Sequence, residues 1–375
     1  NYNTVVGDEA GTAITTGDQN VALGYQAGLS QTTATQNTLI GAKAGDALTT
    51  GGQNVALGYN ALNSDTLGTA SVAIGRSALG AQNFTSATNA YNVAIGYTAG
   101  AVLTTGTNNT LIGGLAGDAI TTASNNTAVG VASLGANTTG ADNTALGVSA
   151  LTANTTASYN TALGRSALTT NTTGASNVAV GYDALNANTT ASNNTAVGTS
   201  ALVANTTGAS NTAVGRHSML TNTTGANNNT AVGYDALTAN TTGAQNTASG
   251  VRALGGNTTG GDNTAVGYEA MRLNTTGGSN VAFGREALEV NTTGANNTGI
   301  GYQALKANTT AQKCTAVGNS ALLANTTGVD NTALGELAGY TTTTGDQNIF
   351  VGRAAIASSA TAGQQCTLGS SDITN

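Results

Sequence analysis

A glycine returns along this chain at a fixed distance: Gly7, Gly24, Gly41, Gly58, Gly75, then Gly96 and onward to Gly369, 22 in all. Of the 21 intervals, 19 are 17 residues; Gly75 to Gly96 is 21 and Gly215 to Gly233 is 18. No helix or strand period produces a repeat of that length. The recurring piece must be a supersecondary unit, so the 375 residues do not divide into two or three ordinary domains.

Numbering each repeat from the residue four places before its glycine gives 17 slots. Slot 1 is Asn in 19 of 22 repeats, and slot 5 is the glycine. Slot 2 is Thr, Val or Ile in all but the last, slot 3 is Ala in 16, and slot 4 is Val, Leu or Ile in 20. A short β-branched and aliphatic run bounded by Asn and Gly reads as a strand with a turn at each end. Slots 8 and 9 are mostly Ala-Leu, and slots 12 to 15 mostly Asn-Thr-Thr-Gly, which is turn chemistry.

These features predict an all-β fold, a parallel β-solenoid (β-roll) of about 22 coils. One coil cannot bury its apolar side alone; stacking makes a continuous core. Glycine at slot 5 allows a sharp turn at positive φ, and Asn at slot 1 is expected to ladder from coil to coil. One compensation supports a packed coil. Where Gly11, Gly45, Gly100 and Gly117 replace the slot 9 Leu, an aliphatic residue appears three places later, at Ile14, Leu48, Leu103 and Ile120. At ~4.8 Å per coil the stack would run roughly 105 Å.

The expected organisation is a continuous shaft over 1–369, with irregular coils at 80–91 and 216–222 and a C-terminal remnant at 370–375. The chain starts inside the pattern with no initiator Met, as a processed product or part of a longer protein would.

Composition narrows the function. Only 7% of residues are charged, the net charge is −7, and Lys and Arg are scattered singly. A nucleic-acid surface needs a basic stripe, and no apolar run reaches the ~18 residues of a membrane span. With a single histidine, His217, neither a Ser-His-Asp set nor a histidine metal site is expected. With no phosphate loop and no calcium-type Gly-Asp repeat, the chain reads as neither an enzyme nor a cofactor or metal binder. Cys314 and Cys366 lie about three coils apart, roughly 14 Å, too far for a bridge within one chain.

Alternation along a strand places slots 2 and 4 on one face and slot 3 on the other. Taking slots 2 and 4 as the core leaves slot 3 outward, yet it is never charged. Strands buried on both faces read this way. A second copy is the natural cover, with cyclic symmetry satisfying every copy equally. This makes Ala128, Ala145, Ala162, Ala179 and Ala196 candidates for a homotrimer axis.

Two sets of residues are candidate binding or modification sites. Slot 6 holds Tyr25, Tyr59, Tyr97, Tyr182, Tyr234, Tyr268 and Tyr302, with Arg76, Arg165, Arg216 and Arg285. Stacking would align them in one stripe, either a structural cover or a contact for a cell-surface glycan or receptor. The Asn-Thr-Thr tracts make Asn137, Asn154, Asn171 and Asn188 formal glycan acceptors, though Asn and Thr suit a turn in any case.

The stretches "SVAIG" (Ser71 to Gly75), "NVALG" (Asn20 to Gly24) and "NVAIG" (Asn92 to Gly96), each followed by two residues and then Ala, resemble the head repeats of trimeric autotransporter adhesins. That resemblance covers almost the whole chain. It implies left-handed parallel β-rolls, three chains around one axis. The repeat here is about three residues longer, around Asn-Thr-Thr-Gly. In that respect it looks like the units of phage tail fibres and related virion fibres. The ending "QQCTLGSSDITN" (Gln364 to Asn375) resembles the lead-in to the self-cleaving chaperone domain of such fibres.

The expected function is a homotrimeric fibre shaft or adhesin stalk, extracellular or on a virion surface, holding a receptor-binding tip away from the particle. Two alternatives fit the same repeat: a self-polymerising extracellular filament, and an ice-binding solenoid using Thr ladders. Adjacent Thr at slots 13 and 14 argue against the latter, because neighbours in a strand point to opposite faces.

Overall fold

The computed structural model describes residues 2–369; the expected remnant at 370–375 lies outside them. The chain forms two compact units, Asn1–Thr190 and Ala191–Asn375. Each is a parallel β-solenoid with a 17-residue coil. Among the described residues, each unit stacks eleven three-residue strands built from slots 2 to 4. They run from Thr4–Val6 to Val178–Val180 in the first and from Thr195–Val197 to Cys366–Leu368 in the second.

Register follows the repeat. Thr144 pairs with Thr161, Ala145 with Ala162 and Leu146 with Leu163, and Thr247, Ala248 and Ser249 pair with Thr264, Ala265 and Val266. Every slot therefore stacks on its own copy. The ladder continues through the bends: Gly147 N–H donates to Val129 O at 2.8 Å and Leu151 N–H to Ala167 O at 3.0 Å. Few backbone groups are left for water, as a narrow coil requires.

Glycine at slot 5 is demanded twice. Gly147 has φ of +140°, and a Cβ there would stand 2.5 Å from the carbonyl oxygen of Gly164 in the next coil. Three further slots adopt left-handed backbone without glycine: Ser149, Leu151 and Tyr159, at slots 7, 9 and 17, have φ of 57°, 55° and 64°. Isolated left-handed L-residues cost ~1–2 kcal/mol each. Here the stacked coils enforce them.

The inside of the coil is slots 1, 3, 8, 9, 12 and 15, which corrects the facing expected above. Ala128, Ala145, Ala162, Ala179 and Ala196 are fully buried by their own chain, so they face no partner. The strand pleat points slot 3 inward, while slots 2 and 4 face outward. The large slot 3 residues show why. A Cβ on Gly45 would lie 2.8 Å from Leu39 and 2.9 Å from Leu48; one on Gly117 would lie 2.7 Å from Leu111 and 2.8 Å from Ile120. Leu39 and Leu111 fill room that slot 9 glycines leave, together with the slot 12 aliphatics. Phe350 fills the space at Gly339 in the same way.

Two amide ladders run inside. At slot 1, Asn143 Oδ1 accepts the backbone N–H of Asn160 at 2.9 Å, and its Nδ2 donates to Ala157 O at 2.9 Å. Direct amide-to-amide bonds occur at slot 1 too, as where Asn126 Nδ2 donates to Asn109 Oδ1 at 3.3 Å and Asn280 Nδ2 to Asn263 Oδ1 at 3.2 Å, and are shorter at slot 12, where Asn154 Nδ2 donates to Asn137 Oδ1 at 2.9 Å and Asn171 Nδ2 to Asn154 Oδ1 at 3.1 Å. Fully buried amides with partners on both sides bind adjacent coils in a fixed register.

Four extra residues fall between Gln82 and Ala90. They form a two-residue parallel pairing of Gly68–Thr69 with Thr88–Asn89, and Phe84 is tucked in. Beneath them Asp65 replaces the slot 12 Asn and accepts from Gly68 N–H at 3.0 Å and Gln82 Nε2 at 2.7 Å. The second irregularity is displaced from 216–222. His217 and Met219 hold the regular left-handed slots 7 and 9. The added residue is Gly225, so Asn211 Nδ2 reaches Ala226 O fifteen residues on, against fourteen elsewhere.

Candidate binding stripe

Slot 6 follows the glycine turn and points to solvent. All seven slot 6 tyrosines are exposed; Tyr97 retains 55% of its surface. The structure brings some of the expected stripe together. In the first unit the Arg76 guanidinium stands over Tyr59 and Tyr97, 6.0 and 5.8 Å from their centroids. In the second, Arg285 stands over Tyr268 and Tyr302 at 5.6 and 5.8 Å, and Arg216 over Tyr234 at 5.8 Å. Such exposed contacts contribute about 0.5–1 kcal/mol each. Tyr25, Arg165 and Tyr182 hold the same slot, but no guanidinium–ring contact joins them among the described residues.

Beside the stripe in the second unit runs a charged band that the sequence reading did not anticipate. It occupies slots 7 and 10. Arg252 Nη1 is 3.3 Å from Glu269 Oε1. Arg272 reaches Glu269 at 3.4 Å and Glu289 at 2.8 Å. Lys306 Nζ reaches Glu286 at 2.6 Å and Glu289 at 3.2 Å. Gln303 Nε2 donates to Glu286 at 2.8 Å, and Arg285 Nε lies 3.0 Å from Glu286 Oε1. Hydrogen bonds from Lys306 and Gln303 pull the Glu286 carboxyl down to about 2, and the Glu289 hydrogen bond raises Arg272. The band begins at His217, 3.4 Å from Asp235. The signal was present as charges spaced by 17 or 3 residues, which the coil turns into neighbours.

Asn137, Asn154, Asn171 and Asn188 are fully buried. An oligosaccharyl donor cannot reach an amide enclosed in the core, so these positions are no glycan acceptors in the folded chain. The adjacent threonines divide. Slot 13 hydroxyls turn to the stack, with Thr138 Oγ1 donating to Thr155 O at 3.0 Å, while slot 14 residues such as Thr139, Thr156 and Thr173 are exposed.

The outward strand face carries aliphatic side chains at slot 4. Leu146 and Leu163 in the first unit retain 43% and 41% of their surface, and Phe283 in the second retains 57%. Among the described residues no group of three or more His, Cys, Asp or Glu is placed to hold a metal ion, and no helix is long and apolar enough to cross a membrane. No family model matches the chain, and no curated protein matches it.

Proposed function

We propose that this chain is the shaft of a structural fibre or stalk, built from three copies of itself and exposed on a virion or bacterial surface, where it projects a receptor-binding tip. The observation that carries this reading is the outward slot 4 column. Slots 2 to 4 contain no charged residue in any coil, and slot 4 sets a row of Val, Leu and Ile at the coil spacing. Contiguous exposed apolar surface of this kind marks an interaction face. A column with one knob per coil is matched in register by another surface with the same spacing, which a second copy supplies. Cyclic symmetry then covers every copy equally. The backbone and amide ladders that join coil to coil give the stiffness a shaft needs.

The test is the solution mass by light scattering at several concentrations. One chain is 36.4 kDa, so three give about 109 kDa (3 × 36.4). A mass fixed at three chains supports the reading. A single-chain mass at all concentrations overturns it, and a mass that climbs with concentration replaces it with an open filament.

A further inference from the structure

In the second unit, the coil from Asn246 to Asp262 carries Gly255 and Gly256 at slots 10 and 11, where its neighbours carry Thr238-Ala239 and Arg272-Leu273. Gly256 is packed against the Arg272 carbonyl, 2.8 Å from where its Cβ would be. Gly255 is less constrained: its φ is not positive, and its Cβ would meet the Arg252 carbonyl oxygen at 3.2 Å, a contact that a shift of a few tenths of an ångström relieves. The missing side chain opens a hollow of about 260 Å³ walled by Asp235, Thr238, Arg252, Arg272 and Leu273. The hollow is open to solvent and large enough for one ring-sized ligand.

We propose that this hollow is a carbohydrate-binding site that seats one sugar ring. Its walls offer what vicinal hydroxyls require: donors from two guanidiniums, acceptors at Asp235 and at the Thr238 hydroxyl, whose own proton goes to His217 O at 3.2 Å, and an apolar side at Leu273. Both arginines are already held. Glu269 takes Arg252 at 3.3 Å and Arg272 at 3.4 Å, and Glu289 takes Arg272 at 2.8 Å. Side chains fixed before binding lose little entropy on contact. Those two carboxylates and Asp235 outnumber the two guanidiniums, so the hollow selects hydroxyls over a free anion. Tyr234 and Tyr268 immediately precede Asp235 and Glu269 in the chain and are exposed. The hollow lies on slots 7, 10 and 11 and includes no slot 4 residue.

The experiment is saturation-transfer NMR on the intact chain. The probes are the methyl glycosides of glucose, galactose, mannose, rhamnose and N-acetylglucosamine, with sodium sulfate as the anion control. Gly255→Thr is the filled variant; it restores the residue type of the coil before it, and circular dichroism checks that it folds. The expected result is transfer to at least one glycoside in the native chain, reduced at least fivefold in Gly255→Thr and in Arg252→Ala. Absence of transfer to all five at 20-fold excess or more overturns the proposal, as does transfer undiminished by filling. Competition by sulfate with no glycoside signal overturns it in favour of an anion site.

Discussion

Lys306 Nζ sits 2.6 Å from Glu286 Oε2, twenty residues away in sequence and one coil away in space. With Gln303 and Arg285 it holds the Glu286 carboxyl at about 2 against its ordinary 4.5. A carboxyl lowered in the folded state contributes stability above its unfolded value, and that contribution is lost as pH falls through the folded one. Thermal midpoints should therefore fall between pH 4.5 and pH 2, and Glu286→Gln should flatten that fall while lowering the midpoint at pH 7. Lys306 is raised by the same contacts, so its contribution holds below 10.5 and fades as pH climbs through its folded value. Equal acid slopes in native chain and variant would show the network to be idle.

The cysteines should separate by reactivity. Cys314 replaces a slot 1 Asn inside the coil, where its thiol donates to Gly328 O at 3.2 Å. Burial, above all, pushes it to about 11. Cys366 is exposed at an outward slot 2. Thiolate is the reactive form. At pH 8, Ellman's reagent should find no more than one thiol per native chain, Cys366, and two in denaturant. A rapid count of two without denaturant would mean the coil at Cys314 is open.

The two coil types should interconvert only when both positions change. In one type Leu151 fills slot 9 and Asn154 ladders at slot 12; in the other Gly117 pairs with Ile120. Leu151→Gly empties a fully buried site and should cost about 2–5 kcal/mol. Asn154→Leu strands Asn137 Oδ1 and crowds Leu151, costing about 1–3 kcal/mol through the unmet bond alone. The double change should cost less than the sum by about 0.5–3 kcal/mol, the range for residues in contact. Denaturant melts of the four proteins measure this, and strict additivity would mean the pair does not share space.

The solenoid, its period and the slot 9 to slot 12 compensation were legible because the repeat samples the same environment over and over. The facing of the strand was not. Ala at slot 3 and Val or Leu at slot 4 are both apolar, and alternation gives two faces without saying which is inside. The discriminating sign was there: Leu39, Leu111 and Phe350 enlarge slot 3 beside slot 9 glycines, which only interior residues need do. The left-handed backbone at Ser149, Leu151 and Tyr159 left no glycine to mark it, because coil stacking imposes it. The Asn-Thr-Thr tract looked like an exposed turn, yet Asn154 bonds inward to Ala157 O, and local chemistry alone does not separate an inward turn amide from an outward one. The hollow at Gly255 has no local sequence sign, because glycine is common here and its meaning lies in what the adjoining coils carry.

Facing can be tested with two neighbours in one strand. Ala145 is fully buried, and a charge placed there has no partner, so Ala145→Asp should destabilise the first unit severely, by several kcal/mol. Leu146 points outward with 43% of its surface exposed; Leu146→Lys should leave the circular dichroism spectrum and the unfolding of the isolated chain nearly unchanged. If slot 4 is where copies meet, Leu146→Lys with Leu163→Lys should drop the light-scattering mass from three chains to one while the fold persists. Loss of fold in the lysine variant with Ala145→Asp tolerated would reverse the two faces. A lysine variant that folds and keeps a three-chain mass would move the copy–copy contact to another column of the coil.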